Sequence, residues 1–206
     1  MFHLKNIRHQ HIPSHDSLPK DSLIERGQHL LLLGPSGCGK TTLMNIMATL
    51  LPLESGEIIF EGQNYSNLSQ TQQNKMRSKN FGFIFQRHHL IGHLNIEQNI
   101  AMAQTHKDRT YIKTLIDTIG LTGREKQKAC DLSVGEAQRV AIARALANKP
   151  KVIFADEPTS ALDDHNTQKI IDLIFNQANE TNATIIAATH DERIKSRFQN
   201  ILGMSA

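Results

Sequence analysis

Apolar positions along this chain fall into short uninterrupted blocks separated by stretches of helical spacing. HLLLL at 29–33, KVIFADEP at 151–158 and TIIAATH at 184–190 each carry a continuous apolar run. Such runs, bounded by turn or polar residues, read as strands buried on both faces. EIIFEG at 57–62 and FGFIFQ at 81–86 predict two more strands, and residues 1–8 a short edge strand. KTTLMNIMATLL at 40–51 reads as a helix with Met44, Met47 and Ala48 on one face and Pro52 stopping it. Residues 95–119 are largely helical in pattern, with Gly120 and Gly123 bracketing a break. Two more helices are predicted, from Val134 to Asn148 and over 164–179, the latter with Ile170, Ile171, Ile174 and Phe175 on its apolar face. Residues 9–21 read as a loop, and the polar stretch 63–80 as a surface segment with a short helix.

Strands alternating with helices predict an α/β fold around a mostly parallel sheet covered on both faces. Such sheets bind ligands at the carboxyl ends of their strands. In this chain those ends carry a glycine-rich loop, a pair of acids and a histidine.

Composition narrows the setting. The length of 206 residues suits one compact unit. Apolar content of 39%, charged content of 21% and a net charge of +3 favour neither a nucleic-acid nor an anionic-membrane partner. No run reaches the roughly 18 apolar residues a membrane helix needs, and the polar start MFHLKNIRHQ lacks a signal-peptide core. The two cysteines, Cys38 and Cys130, are too few for a disulfide framework. These features predict a cytosolic chain. His88, His89 and His93 read as a solvated or partner-facing loop rather than a metal site, because adjacent residues rarely share a ligand face.

GPSGCGKT at 34–41 follows a strand and opens a helix, the setting in which G-x-x-x-x-G-K-[ST] cradles phosphates. Gly34, Pro35, Ser36, Gly37, Cys38 and Gly39 would turn backbone N–H groups toward phosphate oxygens, aided by the helix N-terminus. Lys40 would reach the β- and γ-phosphates, the Thr41 hydroxyl would hold Mg²⁺, and Thr42 would donate on the α-phosphate side. Cys38 lies inside this loop, so its alkylation is expected to block nucleotide binding. At the end of the 152–157 strand, Asp156 is placed to bind Mg²⁺ through water and Glu157 to orient and polarise the attacking water.

LSVGEAQRVAIARAL at 132–146 resembles the signature segment of ABC transporter ATP-binding proteins, L-S-G-G-[QE]-x-Q-R-[VL]-x-[IL]-A-R-A-[LI]. The resemblance extends from about residue 22 to 195, with Gln86 in the place of the family's Q-loop glutamine, SALD at 160–163 as its D-loop and His190 as its switch histidine. It implies one ABC ATPase domain over 1–206. Its parts would be a P-loop NTPase core, a small antiparallel β subdomain and an inserted helical subdomain at about 87–135. It implies ATP and Mg²⁺ as cofactors, with Glu157, His190 and Lys40 catalytic and Gln86 joining Thr41 and Asp156 on the metal. Ser133, Gly135 and Glu136 would bind the ATP held by a second copy, in an ATP-dependent homodimer. The remaining partners implied are integral-membrane permease subunits, received near Arg87 to Leu94. The chain would then lie in the cytoplasm, peripheral to the inner face of the membrane.

Two positions depart from the family's pattern. Val134 replaces the usual first glycine and is expected to be tolerated. His9, His11 and His15 stand where the family has an upstream aromatic residue, and His9 or His11 is the expected adenine-stacking substitute. FGFIFQRHHLIGHLNIEQNIAM at 81–102 is similar to the lipoprotein-releasing, macrolide-exporter and cell-division groups, which implies an export or force-transmitting role. The alternative is a regulatory or non-transport ABC ATPase of the cell-division, DNA- or translation-associated kind. DNA- and translation-associated members usually carry coiled coils, zinc modules or tandem cassettes, none of which appears in this sequence.

Overall fold

The computed structural model describes residues 1–12, 20–159 and 162–205. Its strands are β1 (Phe2–Arg8), β2 (Asp21–Ile24), β3 (Leu30–Leu33), β4 (Ser55–Phe60), β5 (Gln63–Asn64), β6 (Phe81–Ile84), β7 (Val152–Asp156), β8 (Thr184–Thr189) and β9 (Asn200–Gly203). The helices are α1 (Lys40–Met47), α2 (Gln70–Asn80), α3 (Ile96–Ala101), α4 (Arg109–Thr118), α5 (Val134–Leu146) and α6 (Asp164–Thr181).

Five strands form a parallel sheet in the order β6-β7-β8-β3-β9. The other four form an antiparallel sheet, β2-β1-β4-β5. Alternation along each central strand divides the parallel sheet between two cores. Ile153 and Ala155 of β7, with Ile185 and Ala187 of β8, pack against α3, α4, α5 and α6. Val152 and Phe154, with Ile186 and Ala188, face α1 and the antiparallel sheet. Both faces are covered, which is why these strands show no polar alternation. Phe2 of β1 fastens the two sheets together, its ring 4.8 Å from Phe60, 6.1 Å from Phe81 and 6.3 Å from Phe154. All four rings are buried, and aromatic pairs of this kind each add about 0.5–1.5 kcal/mol beyond their area.

Several boundaries differ from the sequence pattern. The first helix ends at Met47, because Thr49 turns to a left-handed φ of 58° before Pro52 is reached. The helical pattern over 95–119 is carried by two helices, each begun by its own cap: Asn95 accepts from the Gln98 N–H and Asp108 from the Tyr111 N–H. β6 stops at Ile84, so Gln86 stands on the following loop and does not end the strand. Strands β2, β5 and β9 have no counterpart in the sequence reading. In β2 only Ile24 is buried, and in β9 no residue is, so neither leaves an apolar run to find.

Candidate functional site

Since β7, β8 and β3 are parallel neighbours, their carboxyl ends lie side by side. β3 runs into the glycine-rich loop, β7 ends on Asp156 with Glu157 next, and β8 ends on Thr189 with His190 next. A cavity of about 650 Å³ is lined by Ser36, Gly37, Gly39, Lys40, Thr41, Thr42, Gln86, Glu157 and His190, together with Gln10 and His11. That volume lies within the usual range of ligand pockets, about 300–1,000 Å³.

Two glycines are required for steric reasons. A Cβ at Gly34 would lie 2.2 Å from the Met204 carbonyl oxygen. Gly39 has φ +94°, and a Cβ there would press on His11 and Ile12 at 3.1 Å. The Lys40 side chain is buried, and its ammonium donates to the carbonyl oxygens of Gly34 at 2.7 Å and Pro35 at 2.9 Å. Neutral carbonyls hold a cation less strongly than phosphate does, so Lys40 is placed to exchange them for a phosphate oxygen.

The Cys38 thiol is not where the sequence reading put it. Its side chain is fully buried in the core cluster that holds Leu43, Met44 and Met204, and it does not line the cavity. Cys130 is the exposed cysteine. The thiol packs on the apolar cluster beneath the loop, with the Lys40 ammonium 3.9 Å from its sulfur.

The Thr41 hydroxyl lies 3.0 and 3.2 Å from the two Asp156 oxygens, and Gln86 lines the same cavity. This donor set is all hard oxygen, the kind Mg²⁺ takes alongside substrate phosphates. Burial raises the Asp156 pKa above its ordinary value; Thr41 and Lys40 pull it down, and Glu157 pushes it up. A carboxylate disfavoured in its charged form gains from a divalent cation, so these residues fit Mg²⁺.

Glu157 has φ 47°, a left-handed conformation rare outside glycine. Its Oε1 accepts from the His190 backbone N–H at 3.2 Å and faces His190 Nδ1 at 2.8 Å, while its Oε2 accepts from the Thr189 hydroxyl at 2.7 Å. The structure thus brings Lys40, Thr41, Gln86, Asp156, Glu157 and His190 together.

It does not bring Ser133, Gly135 or Glu136 to this cavity. Ser133 caps α5: its hydroxyl accepts from the Glu136 N–H at 3.3 Å, and Glu136 Oε2 accepts from the Ser133 N–H at 2.9 Å. Glu136 also pairs with Arg124. That pairing first, then the Ser133 N–H, holds its carboxyl at about 2, well below the usual range. Val134 is the first residue of the helix, 61% exposed, and has no left-handed φ. Glycine is therefore not needed there. Val134→Gly is expected to keep ATPase activity within about threefold, as surface changes free of packing do; a rise of about tenfold in a steady-state assay would show that Val134 restrains the site.

The two upstream histidines separate. His9 is buried, its Nε2 3.6 Å from Glu54 Oε1 and its Nδ1 accepting from the His11 N–H at 3.2 Å. His11 lines the cavity. Glu54 also accepts from the Gln10 N–H at 2.8 Å, so one carboxylate anchors this segment. His15, and Ser160 and Ala161 of the SALD stretch, lie outside the described residues. Gln10, Glu54, Thr159, Asp191 and Arg193 were not singled out by sequence, since no local motif marks residues that act by contacts across the chain.

The fold and the cavity define a phosphate-loop nucleoside triphosphatase. The family model for ABC transporters matches residues 21–160. An uncharacterized ABC transporter ATP-binding protein of Methanocaldococcus jannaschii is 40% identical over 87% of this chain and 82% of its own length. A lipoprotein-releasing system ATP-binding protein, LolD, of Shewanella oneidensis is 38% identical over 89% of this chain and 83% of its own length. Among solved structures, a dimeric bacterial ABC transporter cassette superposes with a TM-score of 0.86 at 30% identity, covering 100% of this chain and 94% of that one. The same cassette in a dimeric post-hydrolysis state bound to ADP and Pi gives a TM-score of 0.86 over 99% of this chain and 94% of that one. The chain belongs to the ABC transporter family. It is an ATPase whose cofactors are ATP and Mg²⁺.

Proposed function

We propose that this chain is the engine of an export or lipoprotein-release type transporter, acting as an ATP-dependent homodimer on separate integral-membrane permease subunits. The observation that carries the homodimer is the division of the site: Lys40, Thr41, Glu157 and His190 line one cavity, with Asp156 bonded to Thr41 beside it, whereas Ser133 caps a helix outside it. One chain holds half of the contacts, and a head-to-tail second copy would supply the α5 N-terminus to the γ-phosphate. The Glu136 carboxylate is engaged by Ser133 and Arg124, so it shapes that N-terminus, leaving the anion to Ser133 and the backbone N–H groups near Gly135.

Within each cavity the backbone N–H groups of the loop and Lys40 hold the phosphates, Thr42 donates on the α-phosphate side, and His11 faces the base. Thr41, Gln86 and Asp156 would hold Mg²⁺, which would supply positive charge to offset the charge that develops on the phosphates. Glu157 orients and polarises the attacking water, and His190 holds the carboxylate and contacts the γ-phosphate.

The permease would dock on a groove of about 560 Å³ beside Gln86, lined by Leu50, Phe83, Phe85, His89 and Met102. Met102 is 54% and Leu50 40% exposed. Arg144 of α5 donates to the His88 and His89 carbonyl oxygens at 2.6 Å each, fixing the rim between groove and cavity. Residues 87–135, which hold α3 and α4, form the helical subdomain of the single 1–206 domain in this reading. Among the described residues no helix is long and apolar enough to cross a membrane. Docking on a permease would place the chain in the cytoplasm, at the membrane's inner face. Relatives named for lipoprotein release support the export reading, as does the macrolide export protein MacB of Escherichia coli, 40% identical over 88% of this chain but only 29% of its own length.

With the exposed Cys130 replaced by Ser, a photocrosslinker attached at Met102→Cys in membrane preparations is expected to capture an integral-membrane polypeptide, identified by mass spectrometry. The same label at Leu23→Cys, which is also exposed but outside the groove, should not. Equal capture from both positions, or none from Met102→Cys, counts against the permease reading.

A further inference from the structure

The left-handed backbone of Glu157 gives its carboxylate an unusual starting direction, although its N–H still donates to the Ala188 carbonyl at 2.8 Å. Something outside the residue has to aim the side chain. Thr189, the last residue of β8, is fully buried. Its hydroxyl stands 2.7 Å from Glu157 Oε2 and 2.9 Å from the Asp191 backbone nitrogen. An amide N–H only donates, so the Thr189 oxygen accepts from Asp191 and its single proton points at Glu157.

Asp191 is itself immobilised. Arg193 meets it with Nε and a terminal nitrogen at 2.8 Å each, and the buried Thr159 hydroxyl donates to Oδ2 at 2.7 Å. Arg193 also pairs with Asp164 at 2.5 Å. The amide that orients Thr189 is therefore fixed by a hydrogen-bonded cluster spanning the loop after β7, the start of α6 and the turn after β8. Thr159, Thr189 and Asp191 are buried, so water competes little for the bonds among them, while Arg193 and Asp164 reach solvent.

We propose that Thr189 is a positioning residue for ATP hydrolysis. Its hydroxyl turns Glu157 Oε2 inward and leaves Oε1, beside His190, as the oxygen presented toward the cavity. The inference rests on the reading of Glu157 as the group that polarises water. A purely structural Thr189 would serve only the Asp191 N–H, and its loss would show in stability alone.

Thr189→Val keeps the shape of the strand end and removes the hydroxyl. Its kcat is expected to fall about ten- to a hundredfold, the scale of a sub-ångström to one-ångström misplacement. KM for ATP should stay within about twofold, since phosphate contacts are untouched. Thr189→Ser, which restores the donor, should recover most of kcat. If Thr189→Val does not fold, Thr189→Ala against Thr189→Ser makes the same comparison. A Thr189→Val kcat within twofold of the unaltered protein overturns the inference, as does a Ser variant no better than Val. Glu157→Gln separates the two levels. Normal turnover in that variant sinks the role of Glu157 itself, whereas an inactive Glu157→Gln beside a fully active Thr189→Val sinks only the role of Thr189.

Discussion

Glu157→Gln is expected to lower ATP turnover by about a hundredfold or more while trapping an ATP-bound dimer, as removal of a key charge from a preorganised site does. The substitution is nearly isosteric. The amide oxygen can still accept from the Thr189 hydroxyl or the His190 N–H, so the side chain keeps its place. What disappears is the negative charge facing the attacking water. Loss of that charge also removes a repulsion on the γ-phosphate, so binding should hold or tighten. ATP would then stay intact between two copies, each supplying Lys40 from one side and Ser133 from the other. Steady-state phosphate release and size-exclusion chromatography with saturating ATP check both halves. A chain that remains monomeric under those conditions speaks against the two-ATP sandwich. Undiminished turnover removes Glu157 from the chemistry.

Lys40→Ala should have the second largest effect, and mainly on binding. In the structure the ammonium bridges the Gly34 and Pro35 carbonyls from a buried position. Its removal takes the ammonium from both carbonyls and leaves Pro35 only the Cys38 N–H at 3.4 Å, at a cost of about 1–3 kcal/mol for a carbonyl that water cannot reach. They adjoin an open cavity, so water relieves much of that cost. No such replacement exists for a charge-assisted bond to phosphate, worth about 1.5–3 kcal/mol. Converted at about 1.4 kcal/mol per decade, ATP affinity falls about ten- to a hundredfold, and hydrolysis falls further because the same charge is missing in the transition state. Titration with a fluorescent ATP analogue, beside a thermal melt, distinguishes the two contributions. Unchanged affinity with a lowered melting temperature would make Lys40 a structural residue only.

Much of this site was legible before the fold was known because its groups are sequential. The loop from Gly34 to Thr41 and the pair Asp156–Glu157 are each contiguous, and each follows an apolar run that can only be a buried strand. The signature segment was legible for the same reason. Less accessible were groups whose meaning lies in who stands opposite them. Nothing local marks Thr189 as the partner of Glu157, or Glu54 as the anchor of His9 and Gln10. Cys38 misled because its place in a phosphate loop says nothing of which way its side chain packs, and here it turns into the core with Met204. Edge strands β2 and β9 escaped because strands with so little buried surface leave no pattern. The length of the first helix was overread, since Met47 and Ala48 continue the helical spacing while the chain already turns at Thr49.

The neighbours in the parallel sheet are distant in the chain. Leu33, Asp156 and Thr189 end adjacent strands, yet β3 is made early in the sequence and β7 and β8 near its close. A nascent or partly folded chain therefore possesses the phosphate loop long before it possesses the acids and the histidine that make the loop useful. Pairings of such long sequence separation are slow to form, because loop closure has to be met before the contacts reward it. Nucleotide would act as a late arbiter of folding: it can hold only those molecules in which the last strands have already found the first.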